Sequence, residues 1–230
     1  MPLARVAGLL VADIAQPRFL RCLFGIRDDL EAGRFFPFLG EFSGNRGHAS
    51  NTRDERRKVA SGLRMNVLET QRLVLRRLTT DDADFILELM NEPSFIRFVA
   101  DRGLRTTADA AQFLRERLLP SYEQFGFGFY RVALKESGEP IGICGLVKRE
   151  TLEHADVGFS ILQRFCGQGF AYEAAAAVMH YGRTQLGLAT IIGVTAPDNQ
   201  ISRRLLEKLG LRYQRTIHLP GYGPESLLFG

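Results

Sequence analysis

The 230-residue sequence predicts an α/β fold with a mixed, mostly antiparallel central sheet of six to seven strands and helices on both faces. Three observations predict it. Two apolar runs are joined through Glu136-Ser137-Gly138-Glu139, the signature of a β-hairpin. Between residues 154 and 195 a strand, a long alanine-rich helix and a second strand follow one another, which demands one parallel pair. The full order from residue 65 onward is β-α-α-β-β-β-α-β-α-β-β. Such an order makes a mixed sheet covered by helices on both sides.

Each element has a local reason. Residues 73–78, LVLRRL, read as a strand. Thr79 with Asp82 three positions on has capping-box spacing. The helix behind it carries Ala83, Ile86, Leu87 and Met90 on one face, and Pro93 is expected to stop it. Thr106 and Asp109 repeat the signal, and Ala110, Phe113, Leu114 and Leu118 continue a second helix. Residues 129–134 and 141–147 are the hairpin strands, and 154–162 form another strand. A helix over 170–186, a β-branched strand over 191–195 and a helix over 200–209 follow, the last closed by Gly210 at C′. Two final strands, near 212–219 and 226–229, flank a Gly-Tyr-Gly-Pro loop around Tyr222.

Hydrophobic residues make up 45% of the chain and charged residues 24%, an ordinary globular composition. No apolar run approaches the ~20 residues of a membrane span, so no membrane partner is expected. Cys22, Cys144 and Cys166 are odd in number and widely spaced. They make neither a disulfide framework nor a zinc-ligand set, so no metal and a reduced, cytoplasmic protein are expected. Residues 1–64 hold 11 of the 30 basic and 7 of the 26 acidic residues, which is the whole surplus of +4. Residues 65–230 are neutral, which argues against a nucleic-acid partner.

Residues 1–64 are expected to be a poorly structured basic leader. They contain a phenylalanine- and glycine-rich stretch at 33–47 and a polar linker at 50–58. An early apolar run imitates a secretory signal, but Asp13 interrupts it and no clear cleavage site follows. Met65 opens the patterned region, and the expectation is that it is the native start and 1–64 an over-extended translation or dispensable leader. Residues 65–230 then form the functional domain, as monomer or homodimer.

The segment Arg164-Phe165-Cys166-Gly167-Gln168-Gly169 lies between a strand and the long helix. Glycines permit left-handed backbone and close ligand approach. Consecutive N–H groups at a helix start form an anion site suited to two bridged phosphates. The Walker pattern is absent, and a GxGxxG pattern fails because Tyr172 holds the third glycine's place. By itself the turn is equally a tight turn without a ligand.

The arrangement resembles the GNAT superfamily of N-acetyltransferases, in which [RQ]-x-x-G-x-[GA] follows the fourth strand and its N–H groups bind the pyrophosphate of acetyl-CoA. Phe170-Ala171-Tyr172-Glu173-Ala174 is similar to the run after that turn in ribosomal-protein N-terminal acetyltransferases of the RimJ/RimL type. Asn199, then Glu207-Lys208-Leu209-Gly210-Leu211, match the family's second signature. The resemblance extends over residues 68–229.

It implies acetyl-CoA as co-substrate, held by Phe159, Ser160, Ile161 and Leu162 of the strand before the turn. It also implies Phe165, Cys166, Gly167, Gln168, Gly169, Phe170 and Ala171 at the pyrophosphate, Arg164 adding charge, and Asn199 on the pantetheine arm. Direct transfer to a primary amine needs a base for the amine proton and an oxyanion donor, without metal or covalent intermediate. Candidate bases are Glu153, His154 and Asp156, with Asp156 and Glu153 favoured. Alternation sets Glu153 on the opposite face from the other two. Many relatives place a tyrosine, the thiolate's acid, where this chain has Leu206. Ser202 is the nearest alternative hydroxyl. Cys166 is not expected to act as a nucleophile. Glu88, Glu92 and Asp101 could draw a cationic acceptor, a peptide N-terminus or a small-molecule amine. The alternative is a non-catalytic acyl-CoA-binding sensor or interaction module.

Overall fold

A computed structural model describes residues 66–220 and 225–230. The expectations for residues 1–64 and for the loop around Tyr222 lie outside the described residues.

The sheet has eight strands in the order β1-β2-β3-β4-β5-β6-β8-β7. They are β1 (Asn66–Glu69), β2 (Leu73–Arg77), β3 (Phe129–Leu134), β4 (Pro140–Val147), β5 (Ala155–Ile161), β6 (Ile191–Thr195), β7 (Tyr213–Ile217) and β8 (Ser226–Phe229). Every pairing is antiparallel except β5 with β6. The strand additional to the sequence reading is β1. Its four residues, NVLE, are too short for alternation to stand out, and pairing with β2 makes the strand.

Four helices precede the hairpin where two were expected: α1 (Ala83–Met90), α2 (Pro93–Phe98), α3 (Thr107–Phe113) and α4 (Pro120–Phe125). Pro93 does not act as the terminator. The first helix ends at Met90, and Pro93 opens α2 at a first-turn position, where its missing N–H costs nothing. The Thr106–Asp109 box is reciprocal: Asp109 N donates to Thr106 Oγ1 at 3.2 Å, and Thr106 N to Asp109 Oδ2 at 2.9 Å. From Leu114 to Leu118 the helix widens into a π turn before α4. The remaining helices are α5 (Phe170–Thr184) and α6 (Gln200–Lys208), the latter followed by Gly210 at C′.

Two apolar clusters lie on opposite faces of the sheet. Cys144 and Leu146 of β4 point into the cluster that holds Ala174, Val178 and Met179 of α5 and Leu206 of α6. Ile143 points the other way, into the cluster built from Ile86 and Leu89 of α1, Phe95 of α2 and Ala110 of α3. Strict alternation would send Ile141 with Ile143. Instead the β3–β4 register shifts there, Val132 facing Gly142 and Ala133 facing Pro140, and the bulge turns Ile141 into the α5 cluster.

Candidate active site

The site begins where the sheet comes apart. The β5–β6 ladder has two rungs, Ala155–Ile191 and Asp156–Ile192. Beyond them β6 continues with β8, through Gly193–Phe229, Val194–Leu228 and Thr195–Leu227. β5 keeps its other partner, β4, through to Ile161. The edge of β5 from Val157 to Ile161 that faces β6 is therefore left without ladder bonds. An open cleft of about 1030 Å³ fills the splay. A row of unpaired peptide groups beside an open cleft can bind an extended, amide-bearing chain as an added strand would.

At the outer end of β5 the chain makes one 3-10 turn (Gln163–Phe165) and reaches the glycines. Gly167 and Gly169 have φ of 80° and 82°, a region that residues with a Cβ rarely adopt. Gly169 is the N-cap of α5, and the first intrahelical bond there runs from Glu173 N to Gly169 O at 3.1 Å. Earlier N–H groups of the helix start thus have no intrahelical acceptor. Gly167, Gln168 and Gly169 are exposed, and Cys166 and Ala171 line the cleft.

The closed end of the cleft holds Asp156. Its side chain is 2% exposed, and Arg149 donates from Nε to Oδ1 at 2.8 Å and from Nη2 to Oδ2 at 3.2 Å. Burial pushes the Asp156 carboxyl above its ordinary value, and the Arg149 charge and hydrogen bond pull the other way without cancelling it. On the same strand face two residues on, Gly158 lies under the Phe129 ring; a Cβ there would stand 2.8 Å from Phe129 Cε1 and Cζ. Met90, Phe95, Phe113 and Leu118 continue this apolar wall.

The remaining expected residues are spread unevenly. Phe159, Ser160, Ile161, Asn199 and Ser202 line the cleft. Asn199 Oδ1 accepts from Ser202 N at 3.1 Å, capping α6, and the Ser202 hydroxyl has no hydrogen-bond partner among the described residues. Leu162 is fully buried in the α1–α3 cluster, and Phe170 is 7% exposed in the α5 cluster, so each offers backbone only. Phe165 packs between the two clusters. Arg164 pairs with Glu88 at 2.5 Å and lies 3.9 Å from Glu139. Glu153 is exposed, precedes β5 and is not on the cleft wall. Cys166 Sγ lies 3.6 Å from Ile161 O, and partial burial with the Glu92 charge pushes its thiol up.

Of the three acidic residues weighed for drawing a cation, Glu88 is paired with Arg164, and Glu92 accepts from Gln163 N at 3.3 Å. Asp101 is paired with Arg105 at 2.7 Å, which with Gly103 N holds its carboxyl down at about 2. Leu206 is 1% exposed and covers Gly193 in the core, outside the cleft. Arg149 and Phe129 were missed by the sequence reading. Neither carries a local pattern, and each acquires its role from β5 next to it. No group of three or more His, Cys, Asp or Glu among the described residues is placed to hold a metal. None of their helices is long and apolar enough to cross a membrane.

The sequence matches at family level as well. Residues 72–212, more than half of the chain, match the family described as Acetyltransferase (GNAT) domain. The chain belongs to the GNAT acetyltransferases. It is an acyltransferase, and its relatives include an uncharacterized N-acetyltransferase, YoaA, of Bacillus subtilis, 30% identical over 66% of this chain and 85% of the relative. The FsC-acetyl coenzyme A-N(2)-transacetylase of Aspergillus fumigatus is 31% identical over 65% of this chain and 66% of its own length. Among solved structures, RimL, a ribosomal L7/L12 α-N-protein acetyltransferase crystallised with coenzyme A, shares the GNAT fold. Its TM-score is 0.61 at 16% identity, over 71% of this chain and 96% of that one.

Proposed function

We propose that this GNAT protein transfers the acetyl group of acetyl-CoA directly to a primary amine. The observation that carries the reading is the splay itself. An unpaired β5 edge from Val157 to Ile161 leads from a glycine turn at a helix start to a buried carboxylate at the cleft's closed end. The donor's pyrophosphate would rest on N–H groups of Gly167 to Ala171, its pantetheine amides along β5, and Asn199 at the facing wall. The name of the Aspergillus relative, which specifies acetyl coenzyme A, supports this donor.

In this reading the acceptor occupies the apolar chamber beside Phe129 and Gly158. Its neutral nitrogen attacks the acetyl carbonyl carbon. A C–N bond forms, the C–S bond breaks, and the sulfur leaves as a thiolate, which takes up a proton from solvent. Asp156 takes the amine proton through water. Burial raises its proton affinity above that of an ordinary aspartate, and Arg149 holds its orientation. The Ser202 hydroxyl, on the cleft wall, would supply a hydrogen bond to the departing sulfur. Glu153, exposed and off the cleft wall, is the weaker candidate for the base.

The acceptor is an α-amine of a peptide N-terminus or a small-molecule amine. The test is thiol release from acetyl-CoA across peptides, amino acids and polyamines, together with calorimetry of CoA binding. Turnover with one acceptor class supports the reading. CoA binding without turnover on any amine would leave a cofactor-binding module instead, and absence of CoA binding would end the proposal.

A further inference from the structure

The glycine turn does not stand alone; the β1–β2 turn grips it from the side. Arg72, in that turn, lies 96 residues away in sequence, and its Nη1 donates to Gln168 O at 3.0 Å. Glu173, in the first turn of α5, holds Arg72 in place. Its Oε2 accepts from Arg72 Nε at 2.6 Å, and its Oε1 from Arg72 N at 2.9 Å and from Thr70 Oγ1 at 2.6 Å. The Arg72 guanidinium also lies over the Phe170 ring, 4.4 Å from its centroid. Hydrogen bonds from Thr70 and Arg72 hold the Glu173 carboxyl below its ordinary range, although partial burial acts in the opposite direction.

The consequence follows from peptide geometry. Gln168 C=O and Gly169 N–H belong to one planar trans unit and point in opposite directions. Arg72 takes the carbonyl on its own side. The Gly169 N–H is thereby turned to the other side, away from the β1–β2 turn. The Arg72 charge is matched by Glu173, so the guanidinium is committed to the protein rather than offered to a ligand.

We propose that Arg72 is a positioning residue for cofactor phosphate: by holding the Gln168 carbonyl, it fixes the direction of the Gly169 N–H that the pyrophosphate receives. The proposal rests on the acetyl-CoA reading above. It assigns to the β1–β2 turn a part in a site that the turn does not itself touch. It also accounts for an acidic residue, Glu173, so close to a place meant for an anion. Glu173 is neutralised by the arginine it orients.

The test is calorimetric titration of the full chain with CoA, for wild type, Arg72→Met and Arg72→Lys. In parallel, the ¹⁵N-labelled Gly169 amide signal is followed during the titration. Arg72→Met is expected to bind CoA about tenfold or more weakly, the scale of a charge-assisted hydrogen bond, while its melting transition stays cooperative and falls by only a few degrees. The shift of the Gly169 amide on CoA addition should shrink or vanish. Arg72→Lys is expected to stay impaired, because one ammonium cannot reproduce the fork that joins Glu173 to Gln168. Wild-type affinity in Arg72→Met, or full rescue by lysine, would overturn the proposal. If wild type itself fails to bind CoA, the acetyl-CoA reading falls first and takes the proposal with it.

Discussion

Asp156→Asn isolates the carboxylate at the closed end of the cleft. The amide keeps the size of the side chain and removes its charge and basicity. The wild-type carboxylate is 2% exposed and the paired Arg149 is 19% exposed. Breaking a fully buried pair costs about 3–5 kcal/mol, because the surviving charge is stranded. Arg149 keeps some access to water, and burial already disfavours the charged form of Asp156, so a loss of about 1 kcal/mol or less is the better expectation. For a domain of this size each kcal/mol lowers Tm by roughly 2–4 °C, so the variant should stay folded at room temperature.

The kinetic effect should be far larger. Removing a general base lowers kcat by about 10²- to 10⁴-fold. The pH dependence gives an independent readout. Burial raises the Asp156 carboxyl, so the folded protein keeps that proton to higher pH than the unfolded chain does. Its contribution to stability is complete below the unfolded value and is lost as pH rises through the folded value. Activity runs the other way. It should climb with pH along a limb whose midpoint lies above the ordinary aspartate value, and the Asn variant should lack that limb. The assay is thiol release from acetyl-CoA with the acceptor the screen identifies, across the acid-to-neutral range, with a thermal melt of each protein. A variant within about threefold of wild type that retains the same acid limb would show that the base lies elsewhere.

Three further outcomes follow from the same geometry. Gly169→Glu puts a side chain on a backbone with φ of 82° and a negative charge at the phosphate turn; CoA affinity by calorimetry should fall by on the order of a hundredfold, with the fold intact by circular dichroism. Gly158→Ala places a methyl group 2.8 Å from two atoms of the Phe129 ring, which lines the cleft and must shift; about 1 kcal/mol of stability should be lost, and the acceptor KM should rise more than the acetyl-CoA KM. Leu206→Tyr restores the family's common tyrosine, but residue 206 is 1% exposed, and Leu206 Cδ2 stands 2.5 Å from where a Cβ on Gly193 would lie. The larger side chain should cost about 1–3 kcal/mol in chemical denaturation and bring no gain in turnover.

Much of the fold was legible because its signals are local. The hairpin is written in Gly138 and two apolar runs, the α3 start in Thr106 and Asp109, and the end of α6 in Gly210. The misread elements are those whose local signals compete. Pro93 is a helix breaker by pattern and a helix opener in fact, because what distinguishes the two is which side of the proline the next helix lies on. Ile141 shares a face with Cys144 and Leu146 only because of a bulge, which no alternation rule anticipates. Within the site, a type of residue could be read from the sequence but not its partner. Arg164 was expected beside phosphate and is paired with Glu88 on α1. Asp156 was one of several carboxylates near the start of β5, and the fold buries it while leaving Glu153 in water.

By itself, the sequence determined the mixed α/β class, the place of the glycine turn between a strand and a long helix, and the acyltransferase family through motifs that repeat at set spacings. These depend on neighbours along the chain, and such interactions survive in a one-dimensional reading. Only the tertiary structure decided where β5 and β6 part, which carboxylate loses its water, and that Arg72 reaches across from the β1–β2 turn to hold Gln168. Each of these joins residues far apart in sequence, and burial and hydrogen-bond direction have no value until the chain has brought them together.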